Sequence, residues 1–151
     1  MANKFSKILV PVRGIAPDDR AVGLASLIAR RNKAAVLAIC VIEVQRALPL
    51  DAENAAQTEH AEQVLKRAEQ VAKENGIKIE TEVLQARAAG AALLNEAAER
   101  GVDLIIMGIP YREPLVGVPL GSTASYILNN ARCEVWLCRE AETAKAVEKG
   151  G

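Results

Sequence analysis

Gly121, Ser122 and Thr123 stand together at the head of a helical pattern and close the stretch GIPYREPLVGVPLGST, Gly108 to Thr123. Unpaired backbone N–H groups and the positive end of a helix dipole attract anions at such a point. Glycine lets a phosphate approach closely, and the two hydroxyls add hydrogen bonds. Gly-Ser-Thr is equally an ordinary helix start, because serine and threonine cap the same N–H groups themselves. Twelve residues, Ile109 to Leu120, lead into this triplet from an apolar run, and three of them are prolines, Pro110, Pro114 and Pro119. No helix or central strand runs through that many prolines, and connections in compact α/β domains usually need about two to six residues. The extra length needs a purpose.

The elements that position this loop follow from periodicity. Apolar runs of strand length recur at 7–12 (KILVPV), 34–44 (AAVLAICVIEV), 77–84 (IKIETEVL), 102–108 (VDLIIMG) and 133–138 (CEVWLC). Helical patterns lie between them. Ala21, Leu24, Ala25 and Ile28 repeat at the spacing of one buried helix face, with Pro17 and Asp18 suited to the first turn and Arg30, Arg31 and Lys33 to the last. From about Asp51 to Asn75 the face is Val64, Leu65, Ala68, Val71 and Ala72. Acidic residues crowd its start, Glu62–Lys66 and Glu69–Lys73 form supportive pairs, and Gly76 ends it. A third helix spans about Ala88 to Arg100 and stops at Gly101. A fourth follows Gly121 with Ala124, Ile127, Leu128 and Ala131 on one face.

Strand alternating with helix throughout implies parallel pairing, right-handed crossovers and a three-layer α/β/α sandwich. Several strands are apolar on both faces, as a sheet covered twice requires. Ligands of open parallel sheets sit outside the carboxyl ends of the strands where strand order reverses. Two loops at that end are unusual: VPVRG after the first strand, and the long proline-rich one.

Half of the 151 residues are apolar, which suits one domain, 1–140, with 141–151 expected to fray as a tail poor in residues to bury. Lys plus Arg equals Asp plus Glu, 19 against 19, and only four aromatics, Phe5, Tyr111, Tyr126 and Trp136, are present. Neither a bulk positive field nor a stacking platform speaks for nucleic acid. The longest apolar run, Ala34 to Ile42, is too short to span a bilayer, so a soluble, cytoplasmic chain is expected. Cys40, Cys133 and Cys138 lack metal-ligand spacing and read as buried thiols. Cys133 and Cys138, five apart on one strand, face opposite sides. His60, in the polar stretch QTEHAEQ, reads as a solvated helix residue.

KILVPV, then VIEV after the second strand, then DLIIMG, then GST and ARCEVWLC occur in an order and spacing similar to the universal stress protein family, from roughly Lys7 to Cys138. That resemblance implies a Rossmann-like five-stranded parallel sheet with order 3-2-1-4-5. It also implies a two-fold homodimer through the strand Cys133 to Cys138, the alternative being a core strand covered by the tail. The family's nucleotide-binding members carry Gly, two residues, Gly, nine residues, Gly, then Ser or Thr. Gly108, Tyr111, Gly121 and Ser122 keep that spacing with one glycine replaced. ATP or another adenine nucleotide is the implied ligand, with magnesium only in its company. The matching positions are Pro11, Val12, Val41, Met107, Gly108, Gly121, Ser122 and Thr123.

Two positions depart. Arg13 stands where such members end their first strand with Asp, and a guanidinium donates where a carboxylate accepts. Tyr111 stands where glycine gives a phosphate access to backbone. Arg13 can pair with a neighbouring carboxylate such as Glu113. It can join Arg112 in a basic anion pocket, since guanidinium groups match phosphate geometry. Or it can plug the cleft and leave a scaffold that binds no nucleotide. Tyr111 can stack on a base or cover the pocket. No general base stands out, and no lysine occupies a P-loop-like position, so a stress-response binding module is expected and not an enzyme; the alternative is an interaction or structural domain with no nucleotide.

Overall fold

The computed structural model describes residues 4–111 and 120–141. Five strands alternate with four helices: β1 (Lys7–Pro11), α1 (Pro17–Asn32), β2 (Ala35–Glu43), α2 (Ala55–Glu74), β3 (Glu80–Ala86), α3 (Ala89–Glu99), β4 (Leu104–Ile109), α4 (Ser122–Asn130) and β5 (Glu134–Arg139). All pairs are parallel and the order is β3-β2-β1-β4-β5, as expected.

Alternation along the central strands divides the core in two. Ile8, Val10 and Val12, with Leu104 and Ile106, face α1 and α2. Leu9, Ile105, Met107 and Ile109 face the other way, with Leu93 and Ala97 of α3 and Ala124 and Ile127 of α4. Each of β1 and β4 is therefore apolar on both faces, Lys7 at the start of β1 apart. The strand order reverses between them, because the chain leaves β1 toward α1 on one face and reaches α4 from β4 on the other.

Local rules account for the helices. Lys33 ends α1 in the left-handed region (φ 55), with its N–H on the Ala29 carbonyl. The α2 face Val64, Leu65, Ala68, Val71 and Ala72 is buried as its spacing requires.

Three boundaries and contacts differ from the sequence-based expectation. Helix α2 starts at Ala55, not near Asp51, because the Asn54 side chain accepts the Gln57 N–H and sets the first turn there; that turn holds no acid. Strand β3 lies three residues later than its first apolar residue suggests. Ile77 and Ile79 pack into the core on the approach, and the paired residues run from Glu80 against Leu37 to Ala86 against Glu43. Leu128, assigned to the buried face of α4, is half exposed, since this short helix rests on Ala124 and Ile127. The ion pair of α2 at its flank is Arg67 to Asp19 of α1, 2.8 Å.

The remaining expectations hold in part. Cys133 packs on the α3/α4 side and Cys138 on the α1/α2 side. Cys40 is buried, whereas the other two are only half-buried. The tail 142–151 lies outside the described residues. No helix among the described residues is long and apolar enough to cross a membrane.

Candidate functional site

The site residues gather at the carboxyl end of the sheet, around the reversal between β1 and β4. Pro11 and Val12 are buried at the end of β1, and the Val12 N–H donates to the Ile39 carbonyl (2.9 Å). The chain then turns away through Arg13, Gly14 and Ile15. All three N–H groups point at one oxygen, Oδ2 of Asp18, at 3.0, 2.7 and 3.1 Å. Gly14 (φ 83) makes this concave run of donors possible. The turn is an anion nest already filled by the chain's own carboxylate.

Asp18 is 7% exposed, and its second oxygen, Oδ1, is buried without a hydrogen-bond partner among the described residues. Burial pushes its carboxyl above the usual range, and the three N–H groups and the charge of Arg13 pull the other way. The same burial raises the Cys40 thiol, helped by the Asp18 charge. Sequence reading places Asp18 only as a first-turn acid. Its reach back to the preceding turn resembles the acid of a capping box, and that spacing is the available signal.

Arg13 crosses the reversal. Its Nη2 donates to the Gly108 carbonyl (3.0 Å), so the guanidinium spans the gap between β1 and β4. Glu113 and Arg112, two partners that the sequence offers for Arg13, lie outside the described residues. Gly108 is set by packing: a Cβ there would stand 2.4 Å from the Pro17 carbonyl oxygen, so this glycine lets β4 lie against the start of α1. Met107 is fully buried, and Val41 is half-buried against the α3/α4 core.

Tyr111 follows the end of β4 with its ring 5.4 Å from the Arg139 guanidinium, a cation–π contact that covers the ends of β4 and β5. Gly121 forms the N-cap of α4 at φ 111, ψ 144, a backbone that other residues adopt only under strain, and a Cβ there would meet nothing among the described residues. Ser122 and Thr123 open the helix, and no side chain among the described residues caps it. The structure thus brings Arg13 against Gly108, and sets Gly121, Ser122 and Thr123 at the head of the helix that follows β4.

Two further groups at this end escape the sequence reading. Glu43, at the end of β2, accepts the Ala89 N–H at the start of α3 (3.2 Å), a partner 46 residues away. His60 is exposed, as expected of a solvated residue, but it also lines cavities on both sides of the Arg13 turn.

Residues 4–139 match the model of the universal stress protein family. A curated universal stress protein of Methanocaldococcus jannaschii is 31% identical over 144 residues, covering 91% of this chain and 84% of that one. The chain belongs to the universal stress protein family. Solved structures of similar fold include the universal stress protein from Archaeoglobus fulgidus in complex with dAMP. It is 17% identical, with a TM-score of 0.71, covering 88% of this chain and 97% of that one. Another is a universal stress protein in complex with cAMP, 21% identical with a TM-score of 0.70, covering 89% and 97%. As a family member the chain has the family's five-stranded Rossmann-like sheet, with a β1 end that carries Arg13.

Proposed function

We propose that this member of the universal stress protein family is a cytoplasmic, dimeric binding module for an adenine nucleotide or another small phosphorylated ligand. The ligand lies across the carboxyl ends of β1, β2 and β4, with its phosphate at Gly121, Ser122 and Thr123 and its other end near Pro11, Val12, Arg13 and Val41. The observation that carries this reading is a contrast among helix starts. Helix α1 has Asp18 and Asp19 in its first turn, α2 has the Asn54 cap, and α3 has Glu43. Among the described residues helix α4 has neither a side-chain cap nor an acid in its first turn, so its donors and dipole suit an external anion. The dAMP and cAMP held by proteins of similar fold support an adenine nucleotide.

Two contrasting sheet edges support the dimer. On β3, Arg100 binds Glu80 and Glu82 at 2.7 and 3.0 Å and lays a charged network along the edge. On β5 the residues from Val135 to Cys138 are apolar and half-buried, with Trp136 edge-on to Phe5. A strand whose charges, Glu134 and Arg139, stand only at its two ends is the edge suited to pair with a second copy. The module's output is then a conformational or partner-binding signal without turnover.

A second reading is favoured by the Arg13–Gly108 bridge: an interaction domain whose cleft is closed by its own arginine. Thermal-shift titration with ATP, ADP, AMP and inorganic phosphate, with and without magnesium, separates the two. Binding only to the native state at a hundredfold excess over Kd stabilises by about 2.7 kcal/mol. A saturable rise in Tm that weakens in Ser122→Ala supports the module. A flat response to all four compounds supports the interaction domain.

A further inference from the structure

A cavity of about 420 Å³ opens beside the Arg13 turn, between the carboxyl ends of β1 and β2 and the first half of α2. Its polar lining is Arg13, Cys40, Glu43, Gln57 and His60. The imidazole of His60 lies against the turn itself: its Nε2 is 3.1 Å from where a Cβ on Gly14 would stand. Arg13 and His60 therefore form one wall.

Arg13 is the cationic side chain of this wall. Of the five N–H donors of a guanidinium, Arg13 places one on the Gly108 carbonyl, and the others have no partner among the described residues. Two carboxylates stand nearby: Glu43 accepts the Ala89 N–H on one oxygen and keeps its charge, and Asp18 takes the three N–H groups of the turn on one oxygen while Oδ1 stays buried away from solvent. The Cys40 thiol is pushed toward its neutral form by burial. Arg13 thus keeps unpaired guanidinium donors in a cavity that lies at the end of the site away from α4.

We propose that this cavity receives a second anionic group of the ligand, a phosphate or a carboxylate on the nucleoside side, and that the module selects nucleotides that are anionic at both ends. The inference rests on the nucleotide reading above. Arg13 is then a specificity residue: its guanidinium selects a charged group on the nucleoside side, and His60 adds a donor from α2.

The test is calorimetric titration of the full chain with AMP, with adenosine 3′,5′-bisphosphate and with a 3′-O-succinyl ester of AMP. A charge-assisted hydrogen bond is worth about 1.5–3 kcal/mol, so the bisphosphate should bind at least about tenfold tighter than AMP. The succinyl ester identifies which anion fits better, and an advantage for either compound supports the proposal. The ratio of affinities should fall toward one in Arg13→Gln, decrease in His60→Ala, and invert in Arg13→Asp, where an acceptor returns to the wall. Equal binding of all three compounds by the unaltered chain, or an advantage that survives Arg13→Gln, overturns the proposal and leaves nucleotide binding intact. Absence of binding by any of the three overturns the nucleotide reading and this inference with it.

Discussion

Two aspartates at opposite ends of the sheet use the same bonds to opposite effect. At the amino end, Asp103 joins β4 to the start of β1: Oδ2 accepts from the Ser6 N–H (2.8 Å) and hydroxyl (3.0 Å), and Oδ1 accepts from the Lys7 N–H (3.1 Å). Both oxygens are used and the group is partly open to water. Burial pushes its carboxyl up, yet the Ser6 and Lys7 donors outweigh it and hold the group below its ordinary range. At the carboxyl end, Asp18 receives three N–H groups on one oxygen and, among the described residues, none on the other. There burial wins and the carboxyl is raised. The amino end is thus arranged for stability, while the carboxyl end keeps a costly charge that positions the turn carrying Arg13.

The contrast breaks most severely if the packing beneath it is altered. Gly108→Ala places a methyl 2.4 Å from the Pro17 carbonyl and should cost about 3 kcal/mol in urea unfolding, because β4 must move off α1. A loss below about 0.5 kcal/mol would mean that the two elements separate easily and that the site has no fixed frame.

Asp103→Ala should come next, at about 2 kcal/mol near pH 7, from the loss of three hydrogen bonds to a charged acceptor that is partly screened by water. A carboxyl whose folded pKa is depressed contributes stability above its unfolded pKa and loses it as pH falls through the folded value. The gap between Asp103→Ala and the unaltered chain should therefore narrow in acid. A gap independent of pH would remove the charge from the explanation.

Asp18→Asn should show the smaller effect and the opposite sign. A raised folded pKa means stability that is present below the unfolded pKa and lost as pH rises through the folded value. Relative to the Asp18→Asn variant, the unaltered chain should gain stability as pH falls from 7 toward 4. Urea midpoints at both pH values decide the point, and a relative loss in acid would show that the three N–H bonds outweigh burial. Smallest of all, Arg13→Gln should leave stability within about 0.5 kcal/mol, since the side chain is exposed and makes one hydrogen bond.

The same two ends show how much could be read from residue order. The unbroken apolar runs in KILVPV and VDLIIMG announce strands buried on both faces, and they pair as expected. In IKIETEVL, polar residues interrupt the pattern, and backbone pairing with β2 extends the strand through Gln85 and Ala86, whose types say little about strand. At the site, Gly121-Ser122-Thr123 and the exchange at Arg13 are visible because each is local. The filled nest of Asp18 is hidden because an acid in a first helical turn looks like a dipole partner, and only the fold shows that its carboxylate turns back. Glu43 and Ala89 meet across 46 residues, and no spacing rule connects them.

The measurement that bears hardest on the proposed site is an amide NMR titration with AMP, read at both ends of the sheet. If the open start of α4 holds the phosphate, the amides of Gly121, Ser122 and Thr123 shift and saturate together, while Ser6, Lys7 and Asp103 stay still. Saturable shifts confined to the amino end, or none at 121–123 at concentrations that saturate other amides, would contradict it.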